Sequence, residues 1–263
     1  MCCCILLCFI KTSYGQVLID SYQISTASAD VCSGNGVFIY KNPANITAID
    51  FSRIQLTQIL PYSIQSLRTN TFSISHFYKN VKYSFDIVQS GKDYFKTNHF
   101  GLTTGINLSK NISLGTKIIY HNEVKLDNFR NTLLTAELGF GQTFSRNFQY
   151  GLHLKYNASS TPSEVYKSSL KIGTCYKIEH KLKLYLSIEM IQNGDFSANM
   201  AIDYRIQKNI GIRLGWSSLK TAIGSGIVYD LKKYTIEMGT SYHPQLGYSY
   251  GMGLGYKLAE IIY

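Results

Sequence analysis

The sequence predicts an all-β fold: a closed antiparallel transmembrane β-barrel of about fourteen strands with a short N-terminal plug segment. Three observations predict it. From Phe100 to Tyr256, apolar and polar residues alternate almost without a break, and a strand turns successive side chains to opposite faces. Short turns cut the alternation at a regular pace: Lys79-Asn80, Lys110-Asn111, Arg146-Asn147, His180-Lys181, Lys208-Asn209 and Lys232-Lys233. Asn tolerates the positive φ that two-residue hairpins require. Pro43, Pro61, Pro162 and Pro244 all fall outside the alternating interiors, where a residue with no N–H to donate belongs.

The first element, Met1 to Gly15, reads as an export signal. Cys2 to Ile10 is an apolar run, and Ser13-Tyr14-Gly15 places a small residue before Gln16. No Lys or Arg precedes the run, which leaves a start further upstream open. Cys8 follows Ile5-Leu6-Leu7 with no small residue before it, so cleavage is expected rather than lipidation. Cys2, Cys3, Cys4 and Cys8 would leave with the signal. Cys32 and Cys175 remain, enough for one disulfide but not for a disulfide scaffold. Cys175 sits on a strand pattern between Thr174 and Tyr176, and a free thiol is expected there.

The second element, residues 16–49, lacks sustained alternation. It holds Ser25-Thr26-Ala27-Ser28-Ala29-Asp30 and Ser33-Gly34-Asn35-Gly36. The Asn42-Pro43 pair marks a turn, and Ala44 onward can start a short helix. A segment of this length before the first strand can fill a barrel.

The third element, residues 50–263, is the barrel. Its strands are expected near 50–59, 69–78, 81–90, 98–109, 111–121, 132–145, 147–157, 166–178, 181–191, 195–206, 209–216, 220–230, 233–242 and 246–257. Fourteen is even, as in bacterial single-chain barrels; twelve is the alternative. The stretches 90–98, 122–131 and 157–164 are expected as longer loops opposite the short, periplasmic turns. The chain closes on Tyr263, and a terminal aromatic after a strand fits a barrel-insertion signal.

The two faces differ in kind. One carries Phe100, Leu102, Ile106 and Leu108, then Leu182, Leu184, Leu186, Ile188 and Met190. The other carries Gly101, Thr103 and Gly105, then Lys183, Tyr185, Ser187 and Glu189. A soluble core cannot hold so many charges, because unpaired buried charge is costly. The apolar face is therefore assigned to lipid and the polar one to the lumen. Lumenal Lys117, Lys155, Lys183 and Arg213, with Glu189 and Asp203 as partners, are read as structural charges rather than a substrate site. Tyr40, Tyr78, Tyr120, Tyr156, Tyr204, Tyr229 and Tyr242 fall near run ends, as an interfacial girdle does.

These patterns exclude several classes. No run reaches the roughly 18 apolar residues of a spanning helix, whereas barrel strands need only about 9–11. The net charge of +10 is spread along the chain without interleaved aromatics, which argues against nucleic acid and for contact with lipid phosphates. The histidines are scattered and no Gly-x-Ser-x-Gly elbow occurs. No His pair has ligand spacing. No enzyme activity, metal or cofactor is expected.

Phe38 and Tyr40, followed by Asn42-Pro43-Ala44, lie just after the signal and just before the strand pattern. This arrangement resembles the FadL-like outer-membrane superfamily, which includes long-chain fatty-acid transporters and the PorV/PorQ proteins of type IX secretion. Asn45 stands where the family usually has Gly; Ile46 keeps the aliphatic position. The resemblance implies residence in the outer membrane of a Gram-negative bacterium and a structural plug motif at Phe38, Tyr40, Asn42, Pro43 and Ala44. The reading placed first is a PorV/PorQ-like scaffold for protein secretion or surface attachment, partnered by secretion proteins and outer-membrane lipid. The alternative is a FadL-like channel for a hydrophobic ligand. A continuous apolar lumen would favour transport; a lumen filled by residues 16–49 would favour the scaffold.

Overall fold

A computed structural model describes residues 21–29, 31–32, 42–78, 80–92, 95–125, 130–159, 167–179, 181–192, 194–219 and 222–258. The expected signal (1–15), Phe38, Tyr40 and Tyr263 lie outside these residues. A five-residue helix, α1 (Ser21–Ser25), and a 3-10 turn, Pro43–Ala48, precede the strands. The strands are β1 (Arg53–Leu60), β2 (Thr69–Tyr78), β3 (Val81–Lys92), β4 (Phe95–Asn107), β5 (Ile112–Lys125), β6 (Arg130–Thr143) and β7 (Phe148–Ser159). They continue with β8 (Ser169–Ile178), β9 (Leu182–Ile191), β10 (Asp195–Gln207), β11 (Ile210–Ser217), β12 (Ala222–Asp230), β13 (Tyr234–His243) and β14 (Gly247–Lys257).

Each strand pairs antiparallel with its sequence neighbours, and β1 pairs with β14 to close the barrel. The count is fourteen, not twelve. Closure satisfies every ladder and leaves no sheet edge, a condition that spanning strands in hydrocarbon must meet. The faces set the seam register. Leu56 lies opposite Leu254 and Ile54 opposite Tyr256, while Gln55 lies opposite Gly255. A slip by one residue would invert the faces of a whole strand.

The apolar parity points outward and the polar parity inward. On β4, Leu102 is 53 % exposed and Thr103 is 0 % exposed. On β9, Leu186 is 54 % exposed and Ser187 is 4 %. A two-layer sandwich would show the reverse. Among the described residues no helix is long and apolar enough to cross a membrane. Tyr78, Tyr204 and Tyr229 stand outward toward the short-turn end, and Tyr156 and Tyr242 toward the other.

Two of the expected loops are largely strand. β3 runs to Lys92 and β4 starts at Phe95, with those residues in register. β5 runs to Lys125 and β6 starts at Arg130. Thr97 and Glu123 of these stretches, like the neighbouring His99 and His121, are buried on the lumenal face. A polar lumen lets a strand carry side chains that a soluble strand would leave to a loop. The β1–β2 connection, which the sequence did not single out, folds over that end of the barrel. Tyr62 and Ser63 take left-handed φ values of 52° and 59°. The Tyr62 amide donates to Ser249 Oγ at 2.9 Å and Ser63 Oγ donates to the Tyr248 carbonyl at 3.1 Å. Burial at this mouth pushes the Tyr62 phenol up.

Candidate functional site

Fourteen strands enclose more space than their inward side chains fill, and the described parts of the N-terminal segment occupy it. At the end of α1, the hydroxyls of Ser25 and the following Thr26 turn back to the Tyr22 carbonyl at 3.0 and 2.9 Å. Tyr22, Ile24 and Val31 are essentially inaccessible. The backbone approaches the wall closely only where the wall lacks side chains. A side chain at Gly224 would overlap the Ile24 carbonyl, and one at Gly215 would overlap the Thr26 backbone. The segment next reaches β8, where Lys171 Nζ donates to the Ser28 carbonyl. It ends against β3, where Lys82 Nζ donates to the Thr47 carbonyl at 2.7 Å and to the Ile49 carbonyl.

Asn42 is the knot of this path. It is 0 % exposed. Its Nδ2 donates to the Val31 carbonyl at 3.0 Å and to the Phe140 carbonyl of β6 at 3.1 Å. Its Oδ1 accepts from the Ala44 amide at 3.0 Å, capping the 3-10 turn that Pro43 begins. Pro43 and Ala44 lie directly over Gly115 of β5, where any side chain would collide with the Pro43 backbone.

The lumenal charges are paired across strands. Arg213 of β11 reaches Asp203 of β10 at 3.4 Å and Glu237 of β13 at 3.5 Å. Its guanidinium also lies 4.2 Å from the centre of the Tyr22 ring, and Ser21 Oγ donates to Glu237 at 3.3 Å. One arginine thus ties α1 to three strands. Lys117 pairs with Asp86 at 3.0 Å. Lys183 lies opposite Asp203, and Lys155 opposite Glu137. Glu189 pairs with Lys171 at 3.9 Å, a cation not named from sequence. The sequence reading also missed Asp86, Glu237 and the Glu137–His153 contact at 3.3 Å. Each stands on the lumenal parity of its strand, but the matching of strand to strand needs the register.

Two lumenal spaces border the described residues. A void of about 20 Å³ lies under Tyr62 and His243 beside Ile24 and Ala27, room for about one water. A polar cavity of about 220 Å³ at the short-turn end is bordered by Cys32, Asn45, Lys110 and Gln149. The large apolar hollows are on the outer wall. One of about 780 Å³ spans β11 to β14 and β1, bordered by Leu214, Ile227, Met238 and Met252. Another of about 500 Å³ spans β6 to β9. Among the described residues, no group of three or more His, Cys, Asp or Glu could hold a metal ion.

No protein-family model matches the chain, and no curated protein matches it in sequence. Solved structures match its fold. A monoaromatic hydrocarbon channel, CymD, superposes with a TM-score of 0.73 at 9 % identity, covering 94 % of this chain and 100 % of that one. The toluene transporter TbuX of Ralstonia pickettii gives 0.70 at 9 % identity over the same shares. The toluene transporter TodX of P. putida gives 0.72 at 7 % identity, again over 94 % and 100 %. At these identities the likeness is one of fold: a fourteen-strand barrel of the same architecture. None of these structures is a secretion scaffold.

Proposed function

We propose that this chain is a non-enzymatic channel of the FadL-like type in the outer membrane of a Gram-negative bacterium, passing small hydrophobic molecules. The observation that carries this reading is the superposition of nearly the whole chain on channels described as carrying monoaromatic hydrocarbons or toluene. It reverses the preference drawn from sequence, which placed a secretion scaffold first. The ligand class is neutral and apolar, in keeping with lumenal charges that are paired with one another rather than offered to a solute.

The filled lumen is the feature that the sequence argument tied to a scaffold. Whether the segment moves is not legible in the sequence, and a filled lumen excludes transport only if the segment is fixed. Among the described residues the segment joins no strand ladder; side-chain and carbonyl contacts hold it, so it can shift without breaking the barrel. A closed resting state also keeps polar solutes out, as a channel selective for apolar cargo requires.

The test is entry of radiolabelled toluene into cells with an intact lipopolysaccharide leaflet. Cells bearing the protein are expected to take it up several-fold faster than cells carrying an empty vector, with uptake of a polar sugar unchanged. Equal toluene rates at matched barrel levels would sink the proposal. Co-purification of secretion-machinery proteins from detergent-solubilised membranes would restore the scaffold.

A further inference from the structure

We propose that Cys32 and Cys175 form a covalent cross-linking site, a disulfide that fastens the N-terminal segment to β8 of the wall. Neither is joined in a disulfide in this structure. Both are buried in one cluster with Ala29, Val31, Tyr185 and Ala201. Cys32 Sγ donates to the Gly173 carbonyl at 2.7 Å. Gly173 and Cys175 share the lumenal face of β8 two residues apart, about 7 Å along the strand. Disulfide-bonded residues have Cα atoms roughly 4.4–6.8 Å apart, and closure turns Cys32 from Gly173 along β8 toward Cys175.

The site is built to allow that shift. Cys32 lies over the directly paired Gly151 and Gly173, and no side chain of either stands beside it. An oxidant can approach Cys32 from the cavity at the short-turn end. The cavity at the short-turn end is bordered by Cys32 and by Gln149, the register partner of Cys175. An exported protein meets an oxidising compartment, where disulfides form and persist.

In the reaction two S–H bonds break and one S–S bond forms. The two electrons and two protons go to the oxidant. In the cell this is a disulfide-bearing thiol oxidant, reduced to its dithiol. In the test it is diamide, whose N=N bond becomes N–H/N–H. The cross-link itself stands apart from the transport reading; its effect on permeation rests on that reading.

The experiment uses the full chain with Cys2, Cys3, Cys4 and Cys8 changed to serine, folded in vesicles and treated with diamide. It is then denatured and labelled with a polyethylene-glycol maleimide. The oxidised protein is expected to add no maleimide and the dithiothreitol-treated protein two, with a linked peptide joining residues 32 and 175. Cys32→Ser and Cys175→Ser should each add one label under both conditions. Two labels after diamide, or links only between chains, would overturn the proposal. In cells, oxidation is expected to slow toluene entry several-fold and reduction to restore it, except in the single-serine variants. A formed cross-link with unchanged entry would instead count against a moving segment, and so against the transport reading.

Discussion

Asn42 shows how much one buried amide can hold. Its three hydrogen bonds join the 3-10 turn, the Val31 backbone and β6, and each buried partner left unmet costs about 1–3 kcal/mol. Asn42→Ala is expected to loosen the segment by about 2 kcal/mol or more. Limited proteolysis of vesicle-bound protein should cut the N-terminal segment at least tenfold faster, with the barrel band intact. Arg213 behaves differently, because removing it strands Asp203 and Glu237 in the lumen. Arg213→Leu should cost about 3–5 kcal/mol, read from the urea midpoint in micelles. Reversing the charge of Lys155 should leave ion selectivity in a planar bilayer unaltered if the lumenal charges serve structure. At this scale the sequence showed Asn42, Pro43 and Ala44 as a motif, because a turn and a cap are local chemistry. It did not show Lys171 with Glu189, or Glu237 with Arg213, because those partners meet only once strands far apart in sequence are side by side.

Strands carry the membrane argument. On β9 the neighbours Leu186 and Ser187 have opposite duties, one to hydrocarbon and one to the lumen. Leu186→Arg is therefore expected to destabilise the barrel by about 2–4 kcal/mol, the cost of a cation on the lipid face near mid-membrane. Ser187→Ala should change little. Urea unfolding from vesicles separates the two, and equal effects would contradict the assigned faces. The element boundaries were legible wherever a basic-Asn turn stopped the alternation, as at Lys110-Asn111 or Lys208-Asn209. They were misread at 90–98 and 122–131. There the inward parity carries polar residues such as Ser90, Thr97 and Glu123, which resemble a solvated loop until the lumen that receives them is known.

For the whole molecule the single tryptophan is a reporter. Trp216 stands on the outer face of β11, 39 % exposed, among residues assigned to hydrocarbon. In vesicles of lipids with brominated acyl chains its fluorescence should be strongly quenched relative to unbrominated vesicles. Equal intensity would take the outer face out of the bilayer. The sequence by itself determined the all-β class, the strand number within two and the separation into an oily and a wet face. Period-two alternation and turn chemistry are properties of neighbouring residues, so they survive without coordinates. Only the tertiary structure decided that β1 meets β14, which charges pair, and that the N-terminal segment lies threaded over wall glycines. Only the architecture of the complete barrel moved the functional reading from scaffold to channel. Each of these depends on residues brought together from across the chain, and contact between distant residues is set by closure and register, which leave no local trace.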